Sequence, residues 1–140
     1  MTMPAGRYYV GDLCYVMDSD EWVEFCGLTM PGNEMLEGEF TFKDGRRFAQ
    51  YSTKYGDGGY SSNIGAEFSV DAGLIGVILA TDIRANKYDD VEKLGAFVDF
   101  AEPFESTGGR FSDYDNWDGT IQFGSVKIYT ADNPDQDDNL

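Results

Sequence analysis

GLIGVIL, which runs from Gly73 to Leu79, is the stretch that decides the fold. Every residue in it is apolar or glycine, so neither face of an extended chain would meet water. A short run of this kind, rich in branched aliphatic side chains, is typical of a strand covered on both sides. We therefore expect residues 73–79 to form the central strand of a sheet.

The segment 39–52 predicts a hairpin that turns at KDGR, residues 43–46. A two-residue loop would place two cations opposite each other. A three-residue loop with Gly45 in the left-handed conformation pairs Phe40 with Phe48 instead. We favour the second register because it joins the aromatic rings and separates the cations. The basic cluster of this hairpin is interpreted as an exposed hairpin end, where charge deters edge pairing; it comprises Lys43, Arg46 and Arg47.

One helix is predicted directly after Asp18. Asp18 can cap it, and Glu21 three residues later completes a capping box. Gly27 supplies the expected stop after about two turns. Such a short helix needs to dock on a sheet to be stable. The side chains at helical spacing that would do so are Trp22, Phe25 and Cys26.

The other segments are short and separated by turn residues. We expect a strand over 7–10 and 13–17 with a kink at Gly11-Asp12, and a second hairpin that turns at 63–65. Further strands are predicted at 96–100 and 120–129. Between the strands we expect a polar, weakly helical excursion at 82–90 and a mobile surface loop at 104–118. Residues 1–130 thus form one globular domain, and the acidic segment 131–140 is predicted to be a disordered tail.

Many short strands with one helix predict a mostly β (α+β) fold. We expect a single curled antiparallel sheet or a small barrel with one short helix packed on it, rather than a regular sandwich. Nothing in the chain resembles a βαβ unit, which argues against a nucleotide-binding α/β fold.

The charge of the chain is its main compositional anomaly. Among 140 residues, 26 acidic and 10 basic side chains give a net charge of −16, and histidine is absent. This field repels nucleic acid and anionic membranes, and it attracts basic proteins and divalent cations. Adaptation to a salty environment is an equally simple explanation of the acidity. The absence of histidine excludes Ser-His-Asp, Cys-His and imidazole–zinc chemistry.

The two cysteines, Cys14 and Cys26, are too few for a disulfide framework in a domain of this length. Together with the lack of an apolar leader after Met1, they predict free thiols in a reducing cytosol. No apolar run approaches the roughly 18 residues that a membrane span needs. We therefore expect a cytoplasmic protein.

Three Asp-Gly motifs are the concentrated source of possible chemistry: GDLCY at 11–15, YGDGGY at 55–60 and VDAG at 70–73. The simpler interpretation is turn formation, in which aspartate bonds to nearby backbone and glycine takes positive φ. The alternative is a polar pocket that binds a small, nucleotide-like ligand or a divalent cation, or that supports acid–base chemistry. Its candidate residues are Asp12, Tyr15, Lys54, Asp57, Tyr60 and Asp71.

The segment DYDNWDG, residues 113–119, resembles a calcium loop only superficially. The sixth position of an EF-hand loop is glycine, but here it is Asp118, and position twelve is Gly124 instead of glutamate. We therefore assign no metal site or cofactor to it. As an exposed loop it could contact a partner, and the candidate partner-binding residues are Asp113, Asp115, Trp117 and Asp118.

The three motifs, together with DxxxWxxFC at 18–26, resemble a family of small uncharacterised proteins found in bacteriophages, large DNA viruses and some bacteria. The resemblance covers roughly the first two-thirds of the chain. It implies a viral or bacterial accessory protein of the cytosol, including the host cytoplasm. It brings no established activity, so no residue role is carried over.

Three functional hypotheses remain. The first is a non-enzymatic acidic binding protein, plausibly a virus-encoded accessory or counter-defence protein that engages a basic host protein, in the manner of a DNA mimic. The second is a small-ligand or metal binder built on the Asp-Gly motifs, and the third is a carboxylate-dependent hydrolase using the same residues. The charge and the lack of a catalytic set favour the first. The sequence does not predict an oligomeric state.

Overall fold

The computed structural model of the chain describes residues 2–33, 35–83, 94–108 and 118–131. Within these ranges two antiparallel sheets and one α-helix form the fold. The elements are β1 (Thr2–Met3), β2 (Gly6–Gly11), α1 (Ser19–Thr29), β3 (Gly38–Thr41), β4 (Arg47–Ser52), β5 (Gly58–Ser62), β6 (Phe68–Val70), β7 (Leu74–Leu79), β8 (Ala96–Phe100), β9 (Phe104–Thr107), β10 (Thr120–Phe123) and β11 (Val126–Tyr129). Short 3₁₀ turns occupy Leu13–Val16, Pro31–Asn33 and Ala80–Asp82.

A five-stranded sheet has the order β3-β4-β7-β2-β8. β7 is its central strand, paired with β4 on one side and β2 on the other. Five of its six residues are buried. The prediction of a central, doubly covered strand at GLIGVIL is therefore confirmed.

A six-stranded sheet has the order β1-β9-β10-β11-β5-β6 and faces the first. The predicted class, mostly β with antiparallel strands and one packed helix, is confirmed. The strands divide between two sheets rather than forming a single one, and the described strands form no closed barrel. The second predicted hairpin is present as β5 and β6, in which Tyr60 pairs with Phe68.

Two apolar clusters hold the layers together, because successive side chains of a strand point to opposite faces. In β2, Tyr8 and Val10 point between the sheets, whereas Tyr9 points to the helix side. The cluster between the sheets includes Ile75, Val77, Phe104, Ile121, Phe123, Val126 and Ile128. The cluster beneath the helix includes Leu13, Val16, Met17, Phe25, Phe42, Phe48, Leu74 and Ile78.

Helix α1 begins with the predicted capping box. The Asp18 carboxylate accepts the Glu21 amide at 2.8 Å, and the Glu21 side chain accepts the Asp18 amide at 3.3 Å. The expected stop at Gly27 is wrong, since the helix continues to Thr29, whose hydroxyl donates to the carbonyl oxygen of Phe25. The expected docking is confirmed: Phe25 is buried, and its ring lies 4.9 Å from that of Phe48. Trp22 and Cys26 pack against the same cluster.

The strand expected over 13–17 is also wrong. Residues Leu13–Val16 form a 3₁₀ turn because Asp12 caps it by accepting the amide of Cys14. The loop expected over 104–118 is wrong at its start, since Phe104–Thr107 is strand β9, paired with β1 and β10. Residues 109–117, most of the 82–90 excursion and the tail after Ala131 lie outside the described residues.

The β3–β4 hairpin has the predicted register. Phe40 pairs with Phe48, and their rings stack with centroids 5.4 Å apart. The amide of Phe42 bonds to the carbonyl of Arg46, so three residues form the loop. Gly45 adopts φ +96°, the left-handed conformation expected for it.

Arg46 corrects the interpretation of the hairpin end as an exposed basic cluster. Its side chain is only 12% exposed. The guanidinium donates to the Glu21 carboxylate at 2.7 Å and to the Asp82 carbonyl at 3.0 Å, and it lies 4.6 Å from the centroid of the Phe42 ring. Glu21 is 2% exposed. This buried pair therefore ties α1 to the hairpin and to the end of β7.

In the part of the chain that the structure describes, no helix has the length and apolar character needed to span a membrane.

Alanine substitutions at two glycines test the effect of backbone conformation on stability without an effect of packing. Gly45 has positive φ and Gly27 does not, and a Cβ at either position would meet nothing within 4 Å. Gly45→Ala should lower the free energy of unfolding by about 1–2 kcal/mol. Gly27→Ala, in an exposed helical position, should raise it by about 0.5–1 kcal/mol. Urea unfolding of both variants measures this, and a neutral Gly45→Ala would contradict the turn geometry.

Candidate functional site

Three chain connections meet at one end of the sandwich, which we call the crossover end. They are residues 11–12, 53–57 and 71–73. Ser52 pairs with Leu74 at this end of the five-stranded sheet, and Gly58 pairs with Val70 at the same end of the six-stranded sheet. The last two connections therefore both cross between the sheets here. All three predicted Asp-Gly motifs contribute to this end.

The carboxylate of Asp12 joins two of these connections. The side chain is fully buried. One oxygen accepts the Cys14 amide at 3.0 Å, and the other accepts the amides of Asp71 and Ala72 at 2.8 and 2.6 Å. Burial raises the pKa of Asp12, and these amide hydrogen bonds oppose the rise. Asp12 thus holds the 71–73 connection against the end of β2.

Tyr60 and Thr53 fix the remaining connection. Tyr60 is fully buried, and its hydroxyl donates to the carbonyl oxygen of Gly56 at 2.8 Å. The Thr53 hydroxyl donates to the same oxygen at 2.5 Å, and the Thr53 amide donates to the Gly73 carbonyl at 3.0 Å. Thr53, which lies just before the YGDGGY motif, therefore links that motif to VDAG.

The predicted ligand residues share this end, but their side chains divide into two groups. Asp12, Tyr15 and Tyr60 are buried. Asp12 and Tyr60 form hydrogen bonds that hold backbone segments in place. Asp57 and Asp71 are exposed, while Lys54 is half-buried. The described residues contain no group of three or more histidine, cysteine or acidic side chains placed to hold a metal ion. The exposed pair, Asp57 and Asp71, is what this end presents to a ligand.

The surroundings of the Cys14 thiol determine its protonation state. Burial raises its pKa well above the ordinary value, and the neighbouring Asp12 carboxylate raises it further. A thiol of this kind stays protonated at neutral pH, whereas nucleophilic cysteines need a lowered pKa. Burial also raises the pKa of Cys26. Neither cysteine has the environment of a catalytic nucleophile.

Asp118 is the described member of the predicted partner-binding set. It is exposed, and its carboxylate accepts the Thr120 amide at 2.9 Å. That hydrogen bond holds the pKa of Asp118 below its usual range, with a smaller contribution from the charge of Lys54. Lys54 is further linked to this strand end, because its amide donates to the Thr130 hydroxyl at 3.0 Å. Asp113, Asp115 and Trp117 lie outside the described residues.

Exposed acidic side chains outnumber exposed basic side chains on the surface of the described residues. The described arginines all enter ion pairs: Arg46 with Glu21 and Asp44, Arg47 with Glu39, and Arg7 with Asp99. The exposed acidic side chains are Asp20, Asp44, Asp57, Glu67, Asp71, Asp99, Glu102, Glu105 and Asp118. The exposed basic side chains of the same ranges are Arg7, Lys43 and Lys127. Carboxylates therefore dominate the outer surface.

An acidic cavity of about 310 Å³ lies at the end opposite the crossover end, between the β8–β9 connection and the β10–β11 turn. Asp99 and Glu102 line it together with Phe100 and Phe104. The two rings stack with centroids 3.9 Å apart. The cavity is not apparent from the sequence, because it depends on the pairing of β9 with distant strands. The Asp-x-x-Glu-Pro-Phe pattern at 99–104 was its local signal.

A second, larger groove of about 480 Å³ crosses the outer face of β9, β10 and β11. Its lining residues are Thr107, Gly108, Asp118, Thr120, Gln122, Lys127 and Tyr129. Sequence analysis predicted strands over 120–129 but assigned no site there except Asp118. The sequence signal for the groove was the set of polar residues that alternate with apolar residues along these strands. Any sheet with one face toward solvent has the same alternation.

No family model matches the chain, and neither the curated proteins nor the solved structures contain a match to it.

The structural role of Asp12 is tested by comparing the stability of variants at Asp12 and at the nearby Asp71. Asp12→Ala should lower the free energy of unfolding by roughly 2–4 kcal/mol, because three backbone amides lose their buried acceptor. Asp71→Ala removes an exposed carboxylate but keeps its amide, so it should change stability by less than about 0.5 kcal/mol. Chemical denaturation of both variants distinguishes them. Equal losses, or a neutral Asp12→Ala, would contradict the assignment.

Proposed function

We propose that this protein is a non-enzymatic, acidic binding protein that engages a basic protein partner. The observation that carries the proposal is the charge balance of the surface. The net charge is −16, while the described arginines are all engaged by carboxylates of the chain itself. Such a surface speeds association with a positively charged partner and disfavours nucleic acid and anionic membranes.

The acidic cavity is the part of the surface best suited to a basic side chain. Asp99 is 74% exposed, so it can exchange its contact with Arg7 for one with a partner. Glu102 is exposed beside it, and the ring of Phe100 lines the same space. Carboxylates next to an aromatic ring favour the ammonium of lysine or the guanidinium of arginine.

Among the described residues, two groups that could support catalysis are held in unreactive states. The chain has no histidine, and the thiol of Cys14 is held in its protonated form. The buried carboxylate of Asp12 is engaged by three backbone amides. These properties favour binding over the carboxylate-dependent hydrolase hypothesis.

The finer proposal concerns biological context. We infer a virus-encoded or bacterial accessory protein that acts in the cytoplasm, in counter-defence, on a basic host protein. What supports it is the resemblance of the Asp-Gly motifs to the phage and viral family, together with the acidic surface. A protein that presents many carboxylates can compete with DNA for a basic surface.

Affinity capture from the source cells, compared between two matched variants, tests the proposal. Asp99→Asn/Glu102→Gln removes two charges at the cavity, and Asp20→Asn/Glu67→Gln removes two elsewhere. The wild type should capture a basic protein at about 10 mM salt and retain less at about 150 mM, as the Debye length falls from roughly 30 to 8 Å. With the purified partner, the cavity variant should weaken the Kd by at least about tenfold and the control by much less.

Two results would contradict this account. One is that the proteins captured at low salt are not basic, or are retained equally at both salt concentrations. The other concerns the location: equal weakening by both variants would show that only the overall charge matters and would refute the cavity as the contact site.

A further inference from the structure

The groove on the six-stranded sheet is built from side chains whose direction the strand register fixes. Ile121, Phe123, Val126 and Ile128 are buried in the core. Their neighbours along the strands must therefore point outward. Gln122 pairs with both Thr107 and Lys127, which makes one row of outward side chains. Thr120 pairs with Tyr129 and makes a second row.

Asp118 extends the groove beyond these two rows. It lies just before the start of β10 and lines the groove next to the row of Thr120 and Tyr129. Lys127 lies at the level of Gln122, so the groove has an ammonium at one end and a carboxylate at the other. The volume of about 480 Å³ suits a ligand of two small rings better than a single one.

The lining offers donors and acceptors in nearly equal measure. Lys127 donates and the ionised Asp118 accepts, while the threonine hydroxyls do both. The Gln122 amide nitrogen donates to the Gly124 carbonyl at 2.7 Å, which orients its side chain on the sheet. Tyr129 adds the only aromatic ring among the described lining residues. Such a lining matches a ligand with many hydroxyl groups, each of which donates and accepts.

Charge narrows the class of ligand further. An anionic ligand would be repelled by the overall charge of −16. A cationic ligand would meet Lys127 here, whereas the exposed carboxylates elsewhere offer it better sites. An apolar ligand would leave the amide, ammonium and carboxylate groups without partners, which is costly. A neutral ligand meets none of these penalties.

We propose that this groove binds a short, neutral oligosaccharide of about two sugar units. Tyr129 contacts the C–H face of one ring, since aromatic rings attract such hydrogens. Gln122, Thr120 and Asp118 bond to the hydroxyl groups, and Lys127 binds at the far end. This site is separate from the acidic cavity and does not depend on the proposed protein partner.

Backbone amide NMR spectra of the full chain, titrated with disaccharides, test the proposal. The probes are maltose, cellobiose, lactose and N,N′-diacetylchitobiose, with digalacturonic acid as the anionic comparison. At least one neutral probe should give saturable shifts at the amides of β10 and β11. Gln122→Ala and Tyr129→Ala should each weaken that Kd by about tenfold. Glu105→Gln, on the outer face of β9 but not in the groove, should leave it unchanged.

Melting temperatures separate a binding loss from unfolding. Gln122→Ala removes a half-buried surface side chain and should melt close to the wild type, so it decides the outcome if Tyr129→Ala is unstable. The absence of saturable shifts with every neutral probe would overturn the proposal. So would tighter binding of digalacturonic acid, or equal affinity in the wild type and a folded Gln122→Ala variant.

Discussion

Burial of both faces of the five-stranded sheet is the constraint on which the rest of the structure depends. Its central strand β7 contributes Ile75 and Val77 to the cluster between the sheets, and Leu74 and Ile78 to the cluster beneath α1. A sheet covered on one face only would expose half of these side chains to water at a considerable cost. The second sheet and the helix are therefore both required. Two of the connections between the sheets, residues 53–57 and 71–73, then meet at the crossover end, where the carboxylate of Asp12 holds the second of them.

The sequence predicted those parts of the fold that local chemistry determines. The capping box of Asp18 and Glu21 and the left-handed turn at Gly45 depend on residues close in the chain. The predictions were wrong where contacts between residues distant in the chain determine the structure. Strand β9 exists because it pairs with β1 and β10, and Arg46 is buried because Glu21 and the Asp82 carbonyl accept its hydrogen bonds. The division into two sheets is likewise a long-range property.

The candidate site was predicted in part. Asp12, Asp57 and Asp71 do lie at one end of the molecule, which a shared polar pocket would require. What the sequence did not reveal is that Asp12 and Tyr60 are buried and bonded to backbone, which leaves Asp57 and Asp71 as the exposed acids of these motifs.

Residue-resolved amide hydrogen exchange under native conditions tests the doubly covered sheet most directly. Amides at the centre of β7, such as those of Val77 and Ile78, should exchange only through global unfolding, with a free energy equal to that from urea denaturation. Amides of the edge strand β3 should open by several kcal/mol less, through local fluctuation. If β7 exchanges as readily as β3, the strand is not the buried centre of the fold and this account is wrong.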